Sequence, residues 1–268
     1  LFKTNDNWEI SGGGSGGYDF DTPLKWSRLG EVIVGEAAGD NSGYSVSLSS
    51  DGTIVAIGAP YNDENGTSSG SVRVYQWNAS SNCGQGGWEQ LGSDIDGETG
   101  GDNLGHSVSL SNDGTIVAIS APWHDGNGTD EGHVKVYKYS YGSWTQLGKD
   151  IKSGDPSDDD QFGFRVRLSS DGTIVAISAN RKHTINGNYS GQVSVYQYAN
   201  NAWTQLGQDI DGEAASDQSG ETLSLSSDGT IVAIGARGND GGADGAGHVR
   251  VYQYSSGSWT QLGQDIDG

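Results

Sequence analysis

The chain has 268 residues, 32% of them hydrophobic, with 45 Gly and no Met, and its 35 acidic against 14 basic residues give a formal net charge of −21. A chain of this length can bury a sizeable core, and so little apolar content with so much glycine points to turn-rich β-structure. The acidity repels nucleic acid and anionic membrane surfaces, and it suits solubility and cation binding alike.

No stretch approaches the roughly 18 apolar residues of a membrane span, so direct membrane insertion is not expected. Regular spacing of Val, Ile, Tyr and Trp argues against disorder. The first residue is not Met, so the sequence reads as a processed or trimmed segment from which a secretory signal could have been removed.

Along the chain, residues 1–25 form an N-terminal segment in which Asn7-Trp-Glu-Ile and Tyr18-Asp-Phe are candidate strands separated by a Gly-rich run. Trp26-Ser-Arg-Leu-Gly30 then matches an element that recurs at Trp88, Trp144, Trp203 and Trp259. Between these lie four copies of Ser-Leu-Ser-x-Asp-Gly-Thr-Ile-Val-Ala-Ile, at 47–57, 109–119, 167–177 (opened by Arg167) and 224–234. A period near sixty residues means one supersecondary unit repeated, unable to bury its apolar face without a neighbour. Residues shared by all copies serve the architecture, so chemistry is expected where the copies differ.

Within one repeat, Tyr44-Ser-Val-Ser-Leu alternates as a first strand and Asp51-Gly52 is a hairpin turn. Thr53 to Ala59 reads as a strand buried on both faces, Ser71-Val-Arg-Val-Tyr-Gln-Trp as a strictly alternating third strand, and Trp88 through Leu91 to Ile95 as a fourth. Four antiparallel strands per unit describe an all-β propeller blade. The predicted organisation is four complete repeats, at about 36–96, 97–152, 153–211 and 212–268, with a partial fifth that includes residues 1–25.

Gly43-Tyr-Ser-Val-Ser-Leu, Ile57-Gly-Ala-Pro60 and Gly70-Ser-Val-Arg-Val-Tyr75 resemble the FG-GAP repeat, the blade unit of integrin α-chain propellers. Residues 105–122 match equally well, Gly163-Phe reverses the Phe-Gly element, and the resemblance covers residues from about 26 to 268. It implies a β-propeller. In the integrin family the turn between the first two strands often carries an Asp-x-Asp-x-Asp-Gly calcium loop. Here the turn keeps one Asp (Asp51, Asp113, Asp171, Asp228), too few oxygens for calcium, and those residues are expected to be turn formers.

The variable loop after the second strand is the expected place for Ca2+, through Asp63, Asn65, Asp125, Asn127, Asp130, Asp240 and Asp244. Glycosylation sequons begin at Asn65, Asn78, Asn127 and Asn188. Cys83 is the single cysteine, a spectator or a handle for an intermolecular disulfide. His106, His133 and His248 read as blade-surface variants and His124 and His183 as loop residues without a partner motif; enzyme signatures are missing. The expectation is a secreted, non-enzymatic propeller at the cell surface or outside the cell. It would contact other proteins or copies of itself for adhesion or structural assembly. The alternative is a carbohydrate-binding propeller with Trp77, Trp123 or Tyr61 as stacking platforms.

Overall fold

The computed structural model describes residues 2–4, 7–9, 27–126, 129–154, 159–241, 243 and 245–268, which fall in two compact units, 1–31 and 32–268. In the first unit β1 (Phe2–Thr4) pairs antiparallel with β2 (Asn7–Glu9). The predicted strand at 18–20 and Trp26 lie outside the described residues. Residues 27–30, expected to copy the fourth strand, carry no strand. A fourth strand exists only by pairing with the third strand of its repeat, and the described residues before 27 supply only the β1–β2 hairpin.

The second unit is built from four antiparallel sheets. The first comprises β3 (Ser45–Leu48), β4 (Ile54–Ala59), β5 (Ser71–Asn78), a helical turn α1 (Ser81–Gly84), β6 (Gly87–Gln90) and β7 (Ile95–Asp96). The second has β8 (Val108–Leu110), β9 (Ile116–Ala121), β10 (His133–Ser140) and β11 (Ser143–Gln146). The third has β12 (Arg165–Leu168), β13 (Ile174–Ala179), β14 (Gln192–Ala199), β15 (Ala202–Gln205) and β16 (Ile210–Asp211). The fourth has β17 (Thr222–Leu225), β18 (Ile231–Ala236), β19 (His248–Ser255), β20 (Ser258–Gln261) and β21 (Ile266–Asp267). The predicted fourth strand is thus broken in two. Gly92, at φ 73°, bends it after β6, and β5 pairs with β6 at one end and with β7 at the other.

The Asp-Gly turns behave as predicted. Asp51 Oδ1 accepts from Ser49 Oγ (2.7 Å), Thr53 N (3.0 Å) and Thr53 Oγ1 (2.8 Å), while Ser49 Oγ accepts from Ile54 N (2.9 Å). These bonds, that from Ser49 first, hold the Asp51 carboxyl below its usual range. The same network recurs around Asp113, Asp171 and Asp228.

The core lies between sheets. Val72 and Val74 of the first sheet pack with Val108, Leu110, Val117 and Ile119 of the second, and equivalent clusters join the second to the third and the third to the fourth. Each joint is keyed by a tryptophan: Trp144, Trp203 and Trp259 donate Nε1–H to the carbonyls of Leu91, Leu147 and Leu206 of the preceding repeat, each at 2.7 Å. A backbone chain runs alongside, Ser50 N to Asn112 O, Asn112 N to Ser170 O and Ser170 N to Ser227 O, each 2.8 Å.

Strict alternation in the third strand does not yield one exposed face. Ser71, Arg73, His133, Lys135 and His248 are buried alongside the valines, so the reading of His133 and His248 as surface variants is corrected. The cause is a repeated ion pair: Arg73, Lys135 and Arg250 meet Glu36, Glu98 and Glu213, which cover the polar face of the strand. Repeat 3 has Ser194 in this column, bonded to Asp209 at 2.5 Å.

Gly148 and Gly263 share the left-handed backbone (φ 80° and 83°), but a Cβ at Gly148 would lie 2.9 Å from Trp203 Cδ1 and one at Gly263 would meet nothing. Gly263→Ala is therefore expected to cost only the backbone strain of about 1–2 kcal/mol, and Gly148→Ala about 1–3 kcal/mol more from overpacking. Denaturant melts of the two variants check this; equal losses would show that the tryptophan does not set the joint.

Candidate functional site

The loop before each first strand is tied to the loop after the second strand by a buried aspartate. Asp40 accepts from Asn62 (3.2 Å), Asp102 meets His124 Nδ1 (3.1 Å), Asp160 pairs with Lys182 (2.7 Å) and Asp217 accepts from Asn239 (3.1 Å). His124 thus has a partner that its sequence neighbourhood did not reveal. The clamp sets the height of the residues beside it, which differ in every repeat: Tyr44, His106, Phe164 and Glu221 at the start of the first strand, and Tyr61, Trp123, Arg181 and Gly238 after the second.

These variable positions form a rim with two characters. Repeats 1 to 3 supply a run of rings: Tyr61 meets Tyr44 edge-on at 6.4 Å, Tyr44 lies 5.1 Å from His106, and His106 lies 4.8 Å from Trp123 and 5.1 Å from Phe164. Repeats 3 and 4 supply polar groups, with Asn180 donating to Glu221 (3.0 Å) and Arg237 to Gln218 (2.9 Å). Trp123, Phe164, Asn180, Glu221 and Arg237 line a cavity of about 250 Å³ between the two halves. Asn180 Oδ1 and His106 Nδ1 are buried without a hydrogen-bond partner among the described residues. Burial, then the charge of Arg165, pushes the His106 pKa down to about 4, so the ring is neutral at pH 7. Its depressed folded value makes the fold lose stability as pH falls from the ordinary 6.5 toward 4.

Below the rim, a second cavity of about 310 Å³ is lined by Tyr44, Ser45, His106, Ser107, Arg165 and Arg167. The other repeats carry Ser or Thr where repeat 3 carries Arg165 and Arg167. Among the described residues neither guanidinium has a carboxylate partner: Arg165 donates to Phe164 O (3.0 Å) and lies over the Phe164 ring, and Arg167 donates to Val166 O (2.7 Å). In a chain of net charge −21, two half-buried cations left without acids form a local site for an anion.

The expected stacking residues separate. Trp123 and Tyr61 join the ring run, whereas Trp77 packs against Trp88 (5.5 Å) and over Gly86 and is not part of it. Among the described residues the expected calcium ligands do not form a cluster of three or more. Asp63, Asp125 and Asp240 each accept a backbone N–H from five residues on (Ser68, Asp130 and Gly245, at 2.7, 3.0 and 2.7 Å), closing their own loops. Asn65 donates to Gly97 O, and Asn127 and Asp244 lie outside the described residues. The carboxylates that do converge are others, Glu36, Glu64 and Asp94, with Arg73 against Glu36, and Glu213 and Asp265, which Arg250 neutralises. Of the sequons, Asn78 is bonded to Glu89, while Asn188 is exposed and makes no side-chain hydrogen bond among the described residues. Cys83 is exposed in α1.

Residues 35–75 and 94–137 match the family model of the FG-GAP repeat. These two segments carry FG-GAP repeats. No curated protein sequence matches it. Among solved structures, hydrazine synthase of Kuenenia stuttgartiensis aligns at 13% identity with a TM-score of 0.52, over 89% of this chain and 53% of that one. The periplasmic gluconolactonase PpgL of Pseudomonas aeruginosa aligns at 17% identity with a TM-score of 0.51, over 88% and 59%. The chain therefore spans just over half the length of these structures, and the likeness is one of fold. It does overturn the expectation of a non-enzymatic protein. A gluconolactonase shares this architecture, so missing serine and phosphate-loop motifs do not exclude catalysis on it.

The four clamps provide their own controls. Lys182→Asn places in repeat 3 the partner that repeats 1 and 4 already use, and is expected to cost under about 1 kcal/mol. Lys182→Met takes the cation away from the buried Asp160 carboxylate, and is expected to cost about 3–5 kcal/mol. Equilibrium unfolding of both variants decides; equal costs would mean that the clamp does not hold the loops.

Proposed function

We propose that the four sheets are consecutive blades of a β-propeller, four complete and a fifth partial, and that the chain is an extracellular adhesion module taking an anionic carbohydrate at the mouth of its inner strands. The observation that carries this reading is the pair Arg165 and Arg167, without a carboxylate partner among the described residues of a strongly acidic chain and set directly beneath the ring run. Guanidinium groups bind carboxylate or sulfate bidentately. Ring faces such as Trp123 and Tyr61 pack on the apolar face of a sugar, and the unpartnered Asn180 Oδ1 accepts a hydroxyl. A neutral sugar would use the rim and leave the arginines idle.

The test is binding to a panel of neutral, uronic-acid and sulfated oligosaccharides at several salt concentrations. Acidic glycans are expected to bind, with affinity falling as salt rises. Arg167→Ser and Trp123→Ala should each weaken binding about 10-fold or more, while Trp77→Ala should leave it unchanged. Binding that is salt-independent or indifferent to Arg167→Ser would reject the proposal, as would failure to bind any acidic glycan.

A further inference from the structure

In three of the four repeats the acids beside the third strand are matched by donors. Arg250 bridges Glu213 (2.5 Å) and Asp265 (2.7 Å) in repeat 4, and Lys135 meets Glu98 (2.5 Å) in repeat 2. In repeat 3 Gln192 donates to Asp211 (2.8 Å) and Ser194 to Asp209 (2.5 Å). Repeat 1 differs. Arg73 stays 3.5 Å from Glu36 and turns its other terminal nitrogen to Val34 O (3.2 Å), so Asp94, the counterpart of Asp265, has no cation beside it among the described residues.

Two residues of repeat 1 concentrate oxygen at this place. Glu64 stands where repeats 2 and 4 have Gly126 and Gly241, and a Cβ at Gly241 would lie 3.8 Å from Asp267 Oδ1, the counterpart of Asp96. Carboxylate oxygens of Glu36, Glu64 and Asp94 lie within 4.8 Å of one another. Ser71 stands where the other repeats have His133, Gln192 and His248, and it faces Asp96 across the β5–β7 pair. Gln192 reaches Asp211 from this position, but a serine is too short to do so. Ser71 is 1% exposed, and Ser71 Oγ and Asp96 Oδ1 are both buried without a hydrogen-bond partner among the described residues. Burial, then the charges of Glu64, Asp94 and Glu36, pushes the Asp96 carboxyl up to about 6. The cluster is complete within residues 36–96. In repeats 2 and 4 the matching pairs likewise draw both partners from one repeat, and the side chains of Glu98 and Glu213 are no less exposed than that of Glu36 (67% and 50% against 43%).

We infer that repeat 1 binds one calcium ion between Ser71, Asp96 and the carboxylates of Glu36, Glu64 and Asp94. Four acids there face a single arginine, and the two buried oxygens lack the donor that repeat 3 supplies. Every group in the set is a hard oxygen, with no imidazole or thiolate among them, which suits calcium and not a transition metal. The ion does for repeat 1 what the Gln192 amide and the Arg250 guanidinium do for repeats 3 and 4. This inference is independent of the glycan reading. It also moves the calcium expected in the loop after the second strand to a neighbouring residue: Glu64 joins the cluster, while Asp63 closes its own turn.

Isothermal titration calorimetry of the chelator-treated full chain with calcium chloride, at fixed ionic strength, tests it. One calcium per chain is expected to bind. Glu64→Gln, at an exposed position where folding is not at stake, should weaken binding about 10-fold or more. Asp63→Asn, which keeps the oxygen that closes the loop, should leave binding unchanged. Ser71→Gln offers Asp96 the amide that Gln192 gives Asp211, and should abolish binding while circular dichroism shows the same fold. A wild type that takes up no calcium would overturn the inference. So would binding that is unchanged by Glu64→Gln, unchanged by a folded Ser71→Gln, or removed by Asp63→Asn.

Discussion

The insertion of each repeat into the one before it is the contact on which the rest of this structure depends. A single four-stranded sheet of this sequence has no interior, since its valines and isoleucines face outward on both sides. Only the approach of a neighbour removes them from water. The tryptophan bonded to the preceding Leu carbonyl, the glycine that admits it and the aspartate-clamped loop set the distance and angle of that approach. Stability of such a stack is a sum of sheet and joint terms.

The same constraint separates architecture from chemistry. Groups spent on the joint recur in every repeat. Groups at the rim are free of that duty, and they vary: rings in repeats 1 to 3, amide and carboxylate in repeats 3 and 4. On the inner strand Ser47, Ser107 and Ser109 accept amide hydrogen bonds from the next repeat, and repeat 3 replaces this serine column with Arg165 and Arg167. The buried ion pairs sit between these extremes. Arg73, Lys135 and Arg250 occur where Glu36, Glu98 and Glu213 occur, so the two columns change together within one chain.

Much of the fold was legible in the sequence, because strand alternation and Asp-Gly turns are local signals. The strand order within each repeat, the turn role of Asp51 and its copies, and the FG-GAP resemblance all came from them. What local signals do not carry is pairing across distance. The acid that buries Arg73 lies 37 residues upstream, and the clamp partner of Asp102 lies 22 residues on, so third-strand polar residues read as exposed and His124 as solitary. The break at Gly92 was hidden because a glycine between two strand-like runs does not announce its left-handed backbone; its copy Gly263 bends the same way with no tryptophan against it. At the candidate site, Trp123 and Tyr61 were visible as exposed-type aromatics. Arg165 and Arg167 were legible only as departures from the serine column, and Arg167 was noted without its consequence. The acidic loops misled because a carboxylate that closes its own turn has the same sequence as one that waits for an ion.

The joint itself is open to direct measurement by amide hydrogen exchange. Ser50, Asn112 and Ser170 donate their amides across successive joints, while Ser227, the same position in the fourth repeat, has no acceptor among the described residues. Protection of the first three, with Ser227 exchanging as an open loop amide, is the result the account requires. Equal protection at all four positions, or exchange at Asn112 and Ser170 as fast as at Ser227, would contradict it.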